Sequence, residues 1–312
     1  MTRHSLYPLL AAVFAAISLV LAEITIEFYG VDPILAIILG NLAGGGILLL
    51  ASAGSPLDWA GTWPWRILAR IAMGALCIYA VAYLMAFNAI ALIGAGKMAL
   101  LGQLESPFVI ILAILFLGEA LTIRRGIAGL FVLAGTMLIN YNLRTLEFNL
   151  GWGEVLATLA PVSVAAGVII LKPVFDAADA RRVTGLALVL GAVYMTPLIP
   201  ALVSSFELDG AALAAIALMG FFRGLSWLAY NLGLKRIGAS RSAIIFISFA
   251  FFTVMFQALM ARLAPAFGLQ LPTNLPAALL GGGIIAAGII ILQRDPVQVS
   301  SEPPARRRRF FI

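Results

Sequence analysis

The sequence predicts an all-α integral membrane protein with ten transmembrane helices, arranged as two five-helix repeats of inverted topology. Of its 312 residues, 62% are hydrophobic and 11% are charged, whereas soluble domains carry about 25% charged residues. Long apolar runs recur along the chain, each long enough to cross a hydrocarbon core of roughly 30 Å. A short phrase near the middle of the first half also recurs in the second half. This composition excludes a water-soluble globule.

The apolar runs give the limits of the predicted spans. The first five lie at 6–28, 33–53, 67–90, 97–117 and 121–141, and they form a first repeat, 1–141. The second five lie at 153–174, 184–204, 211–234, 240–263 and 276–293, and they form a second repeat, 153–293. A polar external linker, 142–152, joins the repeats. We expect the basic tail, 294–312, to be disordered at the cytoplasmic face.

The distribution of lysine and arginine predicts the orientation, because basic residues in short loops are retained in the cytoplasm. With the N-terminus inside, three of the 20 basic residues fall outside (Lys97, Arg144 and Arg262), and Arg223 lies within a span. The other 16 fall on the cytoplasmic side: Arg3, Arg66, Arg70, Arg124, Arg125, Lys172, Arg181, Arg182, Lys235, Arg236, Arg241, Arg294, Arg306, Arg307, Arg308 and Arg309. We therefore expect a multi-pass protein of the cell inner membrane with both termini cytoplasmic.

The internal repeat is visible in two heptapeptides. Residues 93–99 read IGAGKMA and residues 237–243 read IGASRSA, identical at four of seven positions and basic at a fifth. Since five spans are an odd number, a second homologous half must enter the membrane with the opposite orientation. An inverted repeat is the architecture in which a central site can open to each face in turn.

Several functions are excluded by what the sequence lacks. Cys77 and His4 are the only residues of their types, so we expect no disulfide, no metal site and no cofactor. No phosphate-binding glycine loop and no Ser-His-Asp set is present, so the chain is not expected to be an enzyme. The net charge of +6 lies mainly in short loops and at the tail, so we expect no nucleic-acid partner.

The order of motifs on the spans resembles a known family. Pro107 lies within span four, Gly118-Glu119 closes that span, and span five carries Gly126, Gly129 and Gly135. This set resembles the EamA branch of the drug/metabolite transporter superfamily. The resemblance implies export of amino acids, related metabolites or drugs, or carriage of nucleotide sugars in other branches. The second half departs from the pattern, with Phe251 at the matching proline position and no Gly-Glu after span nine.

Two charged residues near the middle of spans are the first candidates for a substrate site. Glu105 lies in span four and Arg223 in span eight, and a charge at such depth must be paired, hydrated or, for Glu105, protonated. They are predicted partners. One interpretation makes them a binding and coupling pair, with Arg223 on a substrate carboxylate and Glu105 on an amine or a proton. The other makes them a structural ion pair.

Polar and aromatic residues at helical spacing extend this candidate site. Trp227 and Asn231 follow Arg223 at i+4 and i+8, and so share its face. The remaining predicted substrate-binding residues are Tyr79, Tyr83 and Asn88 on span three, Gln103 on span four and Glu23 at the external end of span one. Packing remains the alternative for the aromatic residues, and a solvated rim for Glu23.

Three prolines within spans predict hinges or kinks. Pro107, Pro161 and Pro197 each lack an N–H and crowd the carbonyl four residues earlier, which would leave polar oxygens within the membrane. Three interrupted helices could then meet at one cavity. The alternative is that the prolines only shape helix packing.

Together these features suggest a secondary transporter that exports small metabolites, amino acids or related amphiphiles, by alternating access around a central cavity. A drug or lipid carrier is the alternative within transport, and a non-transporting receptor or scaffold is the alternative outside it. The partners expected are a small-molecule substrate and the lipid bilayer. The sequence also permits proton coupling through Glu105 and a homodimer through small-residue faces such as Gly40 and Gly44.

The predicted orientation can be tested with a reporter that is active only in the periplasm. Fused after residue 312, it should give no signal, because the charge distribution places the C-terminus in the cytoplasm. The same reporter fused within the linker, 142–152, should be active. A strong signal from the C-terminal fusion would show that the number of spans is odd.

Overall fold

The computed structural model describes residues 3–52, 63–86, 88, 89, 92, 101–119, 122–140, 151–203, 208–269 and 275–294. Its secondary structure is helical, and no strand occurs in these ranges. The helices are α1 (Leu6–Glu23), α2 (Pro33–Ser52), α3 (Trp65–Ala75), α4 (Glu105–Leu117), α5 (Ile123–Asn140), α6 (Trp152–Ala177), α7 (Ala180–Met195), α8 (Gly210–Ile237), α9 (Ala239–Phe246), α10 (Phe249–Leu263) and α11 (Leu275–Gln293). Wider π-helical turns extend α1 through Ile24–Phe28 and α3 through Leu76–Val81.

Seven helical stretches of the described chain are long and apolar enough to cross a membrane: Leu6–Phe28, Pro33–Ser52, Trp65–Ala86, Trp152–Ala177, Ala180–Ala201, Gly210–Ile237 and Ala239–Leu263. They coincide with seven of the predicted spans. Two shorter apolar helices, Glu105–Leu117 and Leu279–Leu292, lie within two further predicted spans. The backbone N–H and C=O groups of a helix form hydrogen bonds with one another, so they need no partners from the hydrocarbon core of the membrane. The chain is therefore an all-helical multi-pass membrane protein, while the count of ten spans stays a prediction.

The helices of the two halves are interleaved. The pairs α1–α8, α2–α7, α2–α8, α3–α6, α4–α6 and α5–α11 each join a helix from the first half to one from the second. The largest apolar core lies where α3, α6, α7 and α8 meet, and it includes the fully buried Tyr79, Phe175, Leu188 and Tyr230. Neither half can therefore bury its apolar faces without the other.

Helices α2 and α8 cross with their backbones in contact. A Cβ built on Gly44 would collide with the carbonyl oxygen of Gly220, and one built on Gly224 would lie 2.9 Å from the carbonyl oxygen of Gly44. Close approach of this kind needs small residues on both helices. Since Gly40 and Gly44 already pack within the chain, this face gives no basis for the predicted homodimer.

Two helix interruptions occupy equivalent places in the two halves. A turn at Gln103 and Leu104 precedes α4, and a turn at Ile247 and Ser248 separates α9 from α10. These positions are 144 residues apart, which is the offset between the two heptapeptides. The hydrogen bonds also correspond: Leu104 N–H to Leu101 O (3.0 Å) and Ser248 N–H to Ile245 O (3.1 Å).

The second interruption forms without a proline. Pro107 lies in the first turn of α4, where a missing N–H removes no intrahelical bond. At the matching position the chain has Phe251, but the Ser248 hydroxyl donates to Ile245 O at 2.7 Å. A serine hydroxyl that bonds the preceding turn can disturb a helix by itself.

The other two predicted hinges behave differently from each other. Pro197 lies in the 3-10 turn Thr196–Leu198, which separates α7 from the short helical turn Ile199–Leu202. In contrast, α6 continues through Pro161 from Trp152 to Ala177. Helix α6 is therefore continuous at Pro161, and a kink there stays a prediction. Pro161 is itself buried within the helix bundle, where neighbouring helices can accommodate it.

Glu119 joins the end of α4 to the start of α9. One carboxylate oxygen accepts the Ala239 N–H at 2.7 Å, and the other accepts the Ser240 N–H at 3.1 Å. The Arg125 guanidinium lies 3.9 Å from the same carboxylate. A carboxylate at a helix N-terminus satisfies free N–H groups and complements the helix dipole. The Gly118-Glu119 motif of the first half thus caps a helix of the second.

Replacing Gly44 tests the contact between α2 and α8. We expect Gly44→Ala to destabilise the purified protein by about 1–3 kcal/mol, because the added methyl group forces the two backbones apart. Gly46→Ala is the matched control, since a Cβ built there meets no atom within 4 Å. Thermal unfolding in detergent measures both. Equal melting temperatures for the two variants would contradict this packing.

Replacing Glu119 tests the cap on α9. We expect Glu119→Ala to lower the free energy of unfolding by about 1–2 kcal/mol, because two N–H groups lose their acceptors. Glu119→Gln should have a smaller effect, because one acceptor oxygen remains. Glu27→Ala, which removes an exposed carboxylate, serves as the control. Stability of Glu119→Ala equal to that of the control would show that the cap is not needed.

Candidate substrate site

Arg223 lies on α8 at the crossing with α2, between Gly220 and Gly224. Helix α8 begins after Asp209, whose carboxylate accepts the Ala212 N–H at 2.6 Å. Two serine hydrogen bonds then join α8 to α1: Ser18 of α1 donates to the Met219 carbonyl at 3.0 Å, and Ser226 of α8 donates to the Ala11 carbonyl at 2.9 Å. These bonds hold the backbone immediately before and after Arg223.

The guanidinium of Arg223 is half-buried and has neutral neighbours. Its Nη1 donates to Asn41 Oδ1 at 3.1 Å, and its Nη2 lies 3.6 Å from Met219 Sδ. Its Cζ is 5.8 Å from the centre of the Tyr83 ring, which allows a cation–π contact. Among the described residues, no carboxylate lies within ion-pair distance of Arg223. The site therefore places an arginine within a membrane span without an acidic partner among the described residues.

The predicted ion pair between Arg223 and Glu105 is absent. Glu105 begins α4, and no described side chain forms a hydrogen bond or ion pair with it. The next residue, Ser106, donates to the Ala243 carbonyl of α9 at 2.9 Å. Glu105 is thereby held at the contact between α4 and α9, whereas Arg223 is held at the contact between α8 and α2. Different helix partners separate the two charges.

The predicted face of α8 divides into a polar part and a packed part. Trp227 makes edge-to-face contacts with Tyr79 and Tyr230, with ring centres 5.1 and 5.8 Å apart. Asn231 is buried, and its Nδ2 donates to Thr184 Oγ1 of α7 at 2.9 Å. These two residues therefore join α8 to its neighbouring helices.

The remaining predicted residues lie in several environments. Tyr83 is partly buried and faces Arg223, whereas Asn88 is exposed and donates to the Leu84 carbonyl of its own helix at 2.8 Å. Gln103 is buried at the interruption before α4. Glu23 is half-buried and accepts from Gln257 Nε2 of α10 at 3.2 and 3.3 Å. The structure thus brings Tyr83 to Arg223 and gives the other three different surroundings.

Three residues of the site were missed by the sequence prediction. Asn41 is fully buried in α2 and Met219 is fully buried one turn before Arg223. A Cβ built on Gly40 would collide with Met219 and lie 3.3 Å from Arg223 Nη1, so Gly40 leaves the room that the guanidinium occupies. Asn41 had a detectable signal, since it is a lone amide in an apolar run. No sequence signal predicted that Asn41 pairs with α8, because spacing along one helix does not identify the neighbouring helix.

Comparisons with known proteins agree with this fold and composition. Residues 3–141 match the EamA-like transporter family. Protein PecM of Dickeya dadantii (strain 3937) is 29% identical over 219 residues, which cover 67% of this chain and 70% of PecM. A solved crystal structure, described only as that of a protein, has a TM-score of 0.75 and 18% identity, and the match covers 94% of this chain and 96% of that one. At that identity the likeness shows the fold alone.

The matched segment contains the residues on which the family resemblance was based, from Pro107 and Gly118-Glu119 to the glycines of α5. The match to PecM extends the similarity over two thirds of the chain. Residues 3–141 are therefore similar to the EamA-like transporters, and the described helices are those of a multi-pass membrane protein.

Proposed function

We propose that this protein is a secondary transporter that exports small metabolites with a carboxylate group, such as amino acids or related amphiphiles, by alternating access. The observation that carries the proposal is Arg223, a half-buried cation in a membrane span without an acidic partner among the described residues. Arginine cannot lose its proton at physiological pH, so it needs an anion or water at this depth. A substrate carboxylate supplies that anion.

The pairing of helices supports alternating access. If the halves are equivalent, α1 corresponds to α6, α2 to α7, α3 to α8 and α5 to α11. Under that equivalence α1–α8 corresponds to α6–α3, and the pairs α2–α7 and α5–α11 correspond to themselves. All four contacts are present. Together with the two interruptions 144 residues apart, they support an inverted repeat, in which the two halves rock around a shared site.

The direction and coupling of transport form part of the same proposal. The charge distribution favours an inner-membrane protein with cytoplasmic termini, which makes the cytoplasm the source of the exported solute. Glu105 is the carboxylate that could carry a coupled proton, because a carboxyl group in such surroundings can bind and release one. Its position between α4 and α9 would link its protonation to movement between the halves.

Arg223 also bears on the alternatives. A hydrophobic cation, the common type of exported drug, would be repelled by an unneutralised guanidinium. A neutral lipid would leave that guanidinium without a counter-ion. A receptor or scaffold without flux has no need for a charged group in a membrane span, where the cost of placing it is high. The site therefore favours an anionic or zwitterionic solute.

Flux into proteoliposomes tests the proposal. A pool of labelled L-amino acids should show saturable uptake by the wild type, and Arg223→Ala should reduce it by about tenfold or more, because one charge-assisted bond is worth about 1.5 kcal/mol or more. Arg223→Lys should restore part of the rate, since the charge remains but the planar fork is lost. Arg262→Ala, which removes an exposed arginine, is the control.

Two outcomes of this experiment would contradict the proposal. Wild-type flux in Arg223→Ala would place the solute elsewhere. An absence of flux for amino acids, carboxylates and hydrophobic cations alike would favour the scaffold. Each variant should first be shown to be monodisperse in detergent, so that loss of flux is not loss of folding.

A further inference from the structure

We propose that Asn41 is a second ligand for the substrate, so that Arg223 and Asn41 together form a two-donor site for a monoanionic carboxylate. This inference rests on the proposed function, and it deepens that function by assigning a residue of α2 to recognition. The sequence predicts binding residues on α1, α3, α8 and the span that contains α4, but none on α2.

The hydrogen bonds of Asn41 show which of its atoms is available. Its side chain is fully buried. Its Oδ1 accepts from Arg223 Nη1 at 3.1 Å, which fixes the orientation of the amide. Its Nδ2 has no hydrogen-bond partner among the described residues. A buried N–H donor without an acceptor is costly in an apolar environment, so this position calls for an acceptor that joins the site.

Arg223 of the same site also has a hydrogen-bond donor without a strong acceptor. Among the described residues, the Met219 thioether is the only hydrogen-bond partner of its Nη2, and sulfur is a weak acceptor. One donor on Arg223 and one on Asn41 are therefore available, and their carriers are already hydrogen-bonded to each other. A carboxylate has two oxygens and can accept from both side chains at once.

The charge of the site selects among anions. Arginine contributes one positive charge and asparagine contributes none, so a monoanion neutralises the site. A phosphate dianion would leave one negative charge uncompensated in a membrane span. Apart from Asn41, the described residues in contact with the guanidinium are apolar or aromatic, namely Met219 and the Tyr83 ring. The site therefore fits a carboxylate that is attached to a small apolar body.

Binding by the purified protein tests this role. The probes are the L-amino acids of the pool used for flux, each compared with its carboxamide, which lacks the negative charge. Isothermal titration should show that the wild type binds the acid at least tenfold more tightly. Asn41→Asp should abolish this preference, because the new carboxylate pairs with Arg223 and takes the place of the substrate. Its melting temperature should equal or exceed that of the wild type.

A second variant keeps the test decisive if Asn41→Asp does not fold. Asn41→Leu keeps the branched side chain with the same number of heavy atoms but has no Nδ2, and its affinity for the acid should fall about tenfold. An unchanged affinity in the variant that folds would overturn the role of Asn41. A wild type that transports solutes but binds acid and carboxamide equally would also overturn it, while leaving transport intact. Selective binding of the acid without flux would instead overturn the transporter and retain the site.

Discussion

The close crossing of α2 and α8 is the contact on which the site depends. Because Gly44 and Gly220 have no side chains, the two backbones touch, and Arg223 of α8 is brought to Asn41 of α2. Gly40 provides the space for the guanidinium and for Met219. With larger residues at these positions the helices would separate, and Arg223 would lose its amide partner. The packing of small residues that brings α2 and α8 together therefore also positions the charge of Arg223.

The contacts between the halves explain why a motif of the first half caps a helix of the second half. Glu119 follows α4 and Gly118, yet its carboxylate caps α9 through Ala239 and Ser240. The Ser106 hydroxyl of α4 bonds the Ala243 carbonyl of α9 nearby. If one half moves relative to the other, α4, Glu119 and α9 must therefore move together, or the hydrogen bonds between them must break. Polar bonds of this kind can stabilise one arrangement of a transporter without preventing another.

Hydropathy predicted most of the helices, since length and apolarity are local properties of the sequence. It also identified Arg223, because a charge within an apolar run stands out. The partner of Arg223 was predicted wrongly, since Glu105 and Arg223 are both near mid-span but belong to different helix contacts. Pro161 does not interrupt its helix. At the second interruption the Ser248 hydroxyl bonds the preceding turn, whereas Pro107 lies next to the first interruption. Residues 142–150 of the predicted linker, the heptapeptide at 93–99 and the tail from 295 onward lie outside the described residues.

The proposed mechanism requires the Arg223 site to open to each face of the membrane in turn. Tyr83 faces that site, so a Tyr83→Cys substitution in a Cys77→Ser background places one thiol beside it. A membrane-impermeant maleimide is applied to right-side-out and to inside-out vesicles. Alternating access predicts labelling from both sides, with protection by the transported solute in each case. Labelling from one side only, whether or not solute is present, would contradict it.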